Sequence, residues 1–157
     1  SMAARGEIDG DFLRQPLAVE SYHSLIPVLV PLVRLEYWFY QRDDRPCPVN
    51  ESDVKDLKPV GVLGIKYFDQ IYSLSDVGFE QVSTYAGAIK MLQAGRADYL
   101  ASLKHQNTEL AAKRLGVSLK ACLTRPMLSL DGFFYLHEKH QNLIPQLESI
   151  LSTLVET

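Results

Sequence analysis

The 157-residue chain is long enough for one ordinary domain or two small lobes, and 46% hydrophobic against 22% charged residues exclude wholesale disorder. A net charge of -3, with sixteen scattered Lys and Arg and no basic run, gives no support to a nucleic-acid partner. No apolar stretch reaches the roughly 20 residues of a membrane helix, because Leu25 to Leu35 is short and interrupted by Pro27, Pro31 and Arg34.

Residues 7–14, EIDGDFLR, open with a turn at Asp9-Gly10 and a short strand at Phe12-Leu13. From Tyr22 the pattern predicts loop, then strand at Leu25 to Val28, and after Pro31 a strong β run from Val33 to Tyr40. Pro27 and Pro31 mark their surroundings as edge or connector. Gln41 to Asp56 is polar and proline-bearing and reads as a crossover between two packed units, with Ser52 or Asp53 capping a helical turn that leads to Leu57.

The stretch from Val60 to Ala101 organises the chain. Val60 to Ile65 predicts a buried strand ending in a tight turn, followed by a helical segment from Tyr67 to Leu74 and a strand from Phe79 to Val82. A helix from Tyr85 to Ala94 follows, with Ala88, Ile89 and Leu92 on one stripe and Gly95 to stop it, and then a strand over Ala97 to Ala101. Such alternation predicts βαβ units in a mainly parallel sheet, whose ligands collect where strand carboxyl ends meet helix N-termini. Gly64 to Tyr67 and Ser83 to Tyr85 are therefore the first places to look for a small ligand.

Asn107 or Thr108 caps a helix through Leu115, stopped by Gly116, and Val117 to Leu123 alternates as a strand. Gly132 to His137 is a further β run. The final helix spans Leu143 to Val155, with Ile144, Leu147, Ile150, Leu151 and Leu154 on one stripe. Cys47 and Cys122 match no metal spacing and read equally as one disulfide or as two buried thiols. No signal peptide is visible, and Ser1-Met2 reads as a cloning remnant, so the start of the chain carries no information about export.

Three segments carry a resemblance. Asp56-Leu57-Lys58-Pro59-Val60-Gly61-Val62-Leu63-Gly64 resembles the second-lobe opening of the type 2 periplasmic binding proteins, family 3 extracellular solute-binding group. Tyr85 to Tyr99, YAGAIKMLQAGRADY, resembles that family's next helix and strand, and Glu7 to Arg14 resembles a first-lobe segment found in one branch of it. The resemblance, over residues 6–155, implies an α/β fold with one complete lobe and a partial second lobe. It divides the chain into residues 1–45 (partial first lobe and hinge strand), 46–127 (second lobe) and 128–157 (return strand and C-terminal helix of the first lobe). It implies non-enzymatic binding of a solute in an interlobe cleft by hinge closure, without cofactor or metal, for a periplasmic or extracellular ABC-type transporter. The runner-up is a ligand-sensing or interaction domain, and the third reading an enzyme that has reused the fold. Expected partners are the solute and membrane transporter or sensor subunits; the family's first strand, helix and strand precede the matched segments, so the chain reads either as a fragment or as a short form that would complete its sheet as a homodimer.

Amino-acid-binding members place an Asp shortly after the strand that here ends near Ala101, whereas Ala101-Ser102-Leu103-Lys104 carries no carboxylate. The implied solute is therefore small and polar or anionic rather than an ordinary α-amino acid. Candidate contacts are the backbone N–H groups of Gly64, Ile65, Lys66 and Tyr67, the planar fork of Arg14, the aromatic wall of Tyr85, and Ser102. The plain alternatives are a strand-to-helix turn with Lys66 in solvent and a surface arginine beside Asp9 or Asp11. Trp38 reads as core or hinge packing, His105 as a loop histidine, Asp98 as a structural acceptor of backbone N–H groups, and His137-Glu138 with His140 as a solvated charged loop.

Overall fold

The computed structural model describes residues 1–65, 67–104 and 108–155. The chain divides into two compact units, residues 1–35 with 130–157 and residues 36–129, against sequence-derived boundaries at 45/46 and 127/128.

In the first unit, β1 (Gly10–Arg14) pairs antiparallel with β7 (Leu128–His137) in the register Gly10↔Leu136 and Asp11↔Tyr135, and β7 neighbours β2 (Leu25–Arg42). A short helix not foreseen from sequence, α1 (Pro16–Val19), follows β1, with Pro at its start where a missing N–H is harmless. Ala3, Val19, Leu25 and Tyr135 form the buried cluster.

The strand predicted in two pieces is one. β2 runs unbroken through Pro27 and Pro31, because residues i, i+2 and i+4 of an extended strand direct their backbone nitrogens to one edge. Pro27, Leu29 and Pro31 share that edge, and the single N–H among them, that of Leu29, donates to Glu148 Oε1 at 2.8 Å. The prolines remove donors only where no ladder needs them. Glu148 belongs to α5 (Ile144–Val155), which follows a 3-10 segment at Glu138–Leu143. The predicted α5 stripe is covered only in part: Ile144, Leu147 and Leu151 are half-buried, while Ile150 and Leu154 stay 49% and 66% exposed. Periodicity shows that a helix has an apolar face but not that a neighbour covers it.

In the second unit, β3 (Pro59–Val62) pairs parallel with β4 (Glu80–Val82) and with β5 (Tyr99–Leu103). β2 then adds antiparallel to β5, with Trp38 opposite Ser102, and carries β6 (Leu119–Cys122) on its other side, also antiparallel. The sheet is mixed, so the expected mainly parallel arrangement holds for β4, β3 and β5 alone. Helices α3 (Tyr85–Gln93) and α4 (Thr108–Arg114) cover one face, packing Ile89, Leu92 and Ala112 on Val60, Leu100 and Leu119. The one-turn helix α2 (Phe68–Ile71) lies over an aromatic cluster in which Phe39 stacks on Tyr99 at 4.4 Å and Tyr72 meets Tyr99 at 5.8 Å. Gly61 is required there, since a Cβ would fall 1.7 Å from the Phe68 ring.

The crossover after β2 is pinned at three points. Asn50, not Ser52 or Asp53, caps the 3-10 turn Glu51–Val54, and Asp53 completes a capping box with it. Asp98 accepts the Lys58 N–H at 2.8 Å and pairs with Arg45, the structural role expected of it. Cys47 and Cys122 form a disulfide, which decides between the two readings of the cysteines.

Candidate functional site

Because β3, β4 and β5 are parallel, their carboxyl ends lie along one edge of the second unit. The chain leaves β3 through Leu63 and Gly64, whose φ of +93° suits glycine and whose Cα has no heavy atom within 4 Å of a would-be Cβ. Ile65 turns back and packs on the core under α3. The chain leaves β4 through Ser83 and Thr84, and Thr84 Oγ1 accepts the Gly87 N–H at 3.0 Å, capping α3. Beyond β5, Ser102 is fully buried and its Oγ accepts the Thr108 hydroxyl at 2.7 Å, tying the strand end to the first residue of α4.

A cavity of about 240 Å³ opens at this rim, lined by Tyr85, Ile89, Thr108 and Ala111. Its walls are apolar with two hydroxyl-bearing residues, and among the described residues the lining has no carboxylate, imidazole or thiol. Such a cavity can enclose part of a small molecule and offer hydroxyl hydrogen bonds.

The predicted residues are therefore brought together in part. Tyr85 lines the cavity, and Ser102 supports it through Thr108. Gly64 and Ile65 lie at the end of the neighbouring strand. Tyr67 is buried as the residue preceding α2, which is four residues long and so offers little helix dipole to an anion. Lys66 and His105 lie outside the described residues. Arg14 belongs to the other unit, where its Nε donates to Asp11 Oδ2 at 2.9 Å. Trp38 is held by its Nε1–H donating to Glu36 at 3.0 Å. His140 Nε2 meets Asp9 Oδ1 at 2.8 Å, and no metal-binding group of His, Cys, Asp and Glu exists among the described residues. Sequence reasoning read Thr108 only as a helix cap. Its place a few residues past the strand expected over Ala97 to Ala101 was the available signal, but its partner Ser102 could be found only in three dimensions.

The fold is that of the type 2 periplasmic binding proteins. Solved structures similar to it include the GluR0 ligand-binding core in complex with L-glutamate, at 13% identity and TM-score 0.73, over 98% of this chain and 69% of that one. The substrate-binding protein of an amino acid ABC transporter aligns at 14% identity and TM-score 0.67, over 99% and 68%. Holo ArgBP from T. maritima aligns at 16% identity and TM-score 0.66, over 98% and 66%. No protein-family model and no curated protein matches the sequence.

Proposed function

We propose that this chain binds a small polar or anionic solute at the carboxyl-end rim of residues 36–129 and delivers it to an ABC-type transporter outside the cytoplasm. The observation that carries this reading is the convergence of the Tyr85 wall, the capped start of α3 and the Ser102–Thr108 pair on a cavity at the ends of parallel strands. Gly64 and Ile65, which follow β3 at the same edge, are candidates for backbone N–H contacts to the solute. Arg14, by its chemistry, remains a candidate anion clamp on the other unit. The Cys47–Cys122 disulfide supports an oxidising, extracytoplasmic compartment. Similarity to an amino acid transporter's substrate-binding protein favours transport, and similarity to the GluR0 ligand-binding core favours sensing as the alternative.

Thermal-shift and calorimetric screening against amino acids, organic acids and polyamines tests the reading. A true solute stabilises by RT ln(1 + [L]/Kd), about 2.7 kcal/mol at a hundred times Kd. Tyr85→Ala and Ser102→Ala should each weaken that response. A screen in which no solute shifts the melting temperature, or a response indifferent to both substitutions, removes the rim from consideration.

A further inference from the structure

The side of α4 turned away from the rim cavity borders a second hollow, of about 510 Å³. Its floor comes from β2, where Trp38 and Tyr40 share a face because they are two residues apart in a strand. Its far wall is α4, where Leu110 is left 48% exposed. Among the described residues the two hollows share Thr108 alone.

Three features of this groove call for a ligand. Tyr40 is 5% exposed as a whole and lines the hollow, while its hydroxyl oxygen keeps contact with solvent and has no hydrogen-bond partner among the described residues. That hydroxyl is open to solvent and so can donate to an acceptor arriving in the groove. Burial first, and the negative charge of Glu109 second, raise the affinity of this phenol for its proton and keep it a donor. Secondly, Lys104 Nζ stands 5.1 Å from the centre of the Trp38 ring, which places an ammonium at the aromatic wall. Lys113 lines the same hollow, and among the described residues neither lysine is in an ion pair. Thirdly, the indole is fixed by its bond to Glu36, so the wall is preformed.

We propose that this groove is a binding site for a small organic carboxylate with an apolar or aromatic body, the carboxylate meeting Lys104, Lys113 and the Tyr40 hydroxyl and the body lying between Trp38 and Leu110. This site is separate from the rim and stands whether or not the rim binds a transported solute.

Trp38 is the single tryptophan of the sequence, so intrinsic fluorescence reports on this groove alone. Titration of the whole chain with phenylacetate should give a saturable emission change, about tenfold tighter than with neutral phenylacetamide, the usual margin for a charge-assisted contact. Tyr40→Phe, which keeps the packing, should weaken phenylacetate by about fivefold and Lys104→Met by about tenfold. Glu109→Gln should tighten it. Calorimetry on the same variants checks that the optical change is binding. Tyr85→Ala alters the rim and should leave phenylacetate binding as it was. The proposal is overturned by an absent or non-saturable response, by equal affinity for the amide, by indifference to Tyr40→Phe and Lys104→Met, or by loss of binding in Tyr85→Ala.

Discussion

Removing the disulfide gives the most quantitative test of how the second unit is held together. Cys47 lies in the crossover after β2 and Cys122 at the end of β6, with a sequence separation of 75. Closing a loop of that length in the denatured chain removes about 15 cal/mol/K of entropy, or about 4.5 kcal/mol at room temperature. That is a large fraction of the roughly 5–15 kcal/mol by which a domain is ordinarily stable. Cys122 is buried, so a mild reductant acts slowly, and the double variant Cys47→Ala, Cys122→Ala is the cleaner perturbation. In urea, with a slope of about 2 kcal/mol per molar, the midpoint should fall by roughly 2 M. The slope itself should rise slightly as the denatured chain expands. A loss under about 1 kcal/mol, at unchanged slope, would show that the crossover is already restrained in the denatured state and would refute the reasoning.

Gly61→Ala puts a methyl into the Phe68 ring and should cost about 1–3 kcal/mol by chemical denaturation, more than the same change at the open position Gly78. Replacing Pro27 and Pro31 together by Val should restore two edge donors beside Leu29, and light scattering should then show self-association at concentrations where the parent does not associate. The hydrogen bond from His140, and then that from Lys139, hold the Asp9 carboxyl below its ordinary range. With the folded value depressed, the stabilisation is complete above the unfolded value of about 4 and fades as pH falls through the folded one. A carbon-detected titration of Asp9 in the native protein should give a midpoint below that of a free aspartate, and His140→Ala should raise it.

Local chemistry made much of this fold legible. Gly95 and Gly116 adopt φ of +68° and +73° and end α3 and α4, as their places after apolar stripes implied. Thr84 caps α3 because a hydroxyl three residues ahead of a free N–H suffices, whatever lies elsewhere. The glycine-ended strand β3 and the βαβ order placed the rim, and with it Gly64 and Tyr85, without reference to the rest of the molecule.

Pairing across the sheet and packing across distance were decided only in three dimensions. Two prolines looked like a break in β2 until the unladdered edge showed that no donor was wanted there. The last helix has its stripe, but the cover over Ile150 and Leu154 is a property of neighbours. Cys47 met Cys122, Ser102 met Thr108, and Trp38 came to wall a groove with Lys104 through contacts between residues far apart in the chain or on different elements. The physical reason is one of range: caps, turns and helical stripes depend on residues within a few positions, whereas burial and the partnering of polar groups depend on which surfaces the whole chain brings into contact.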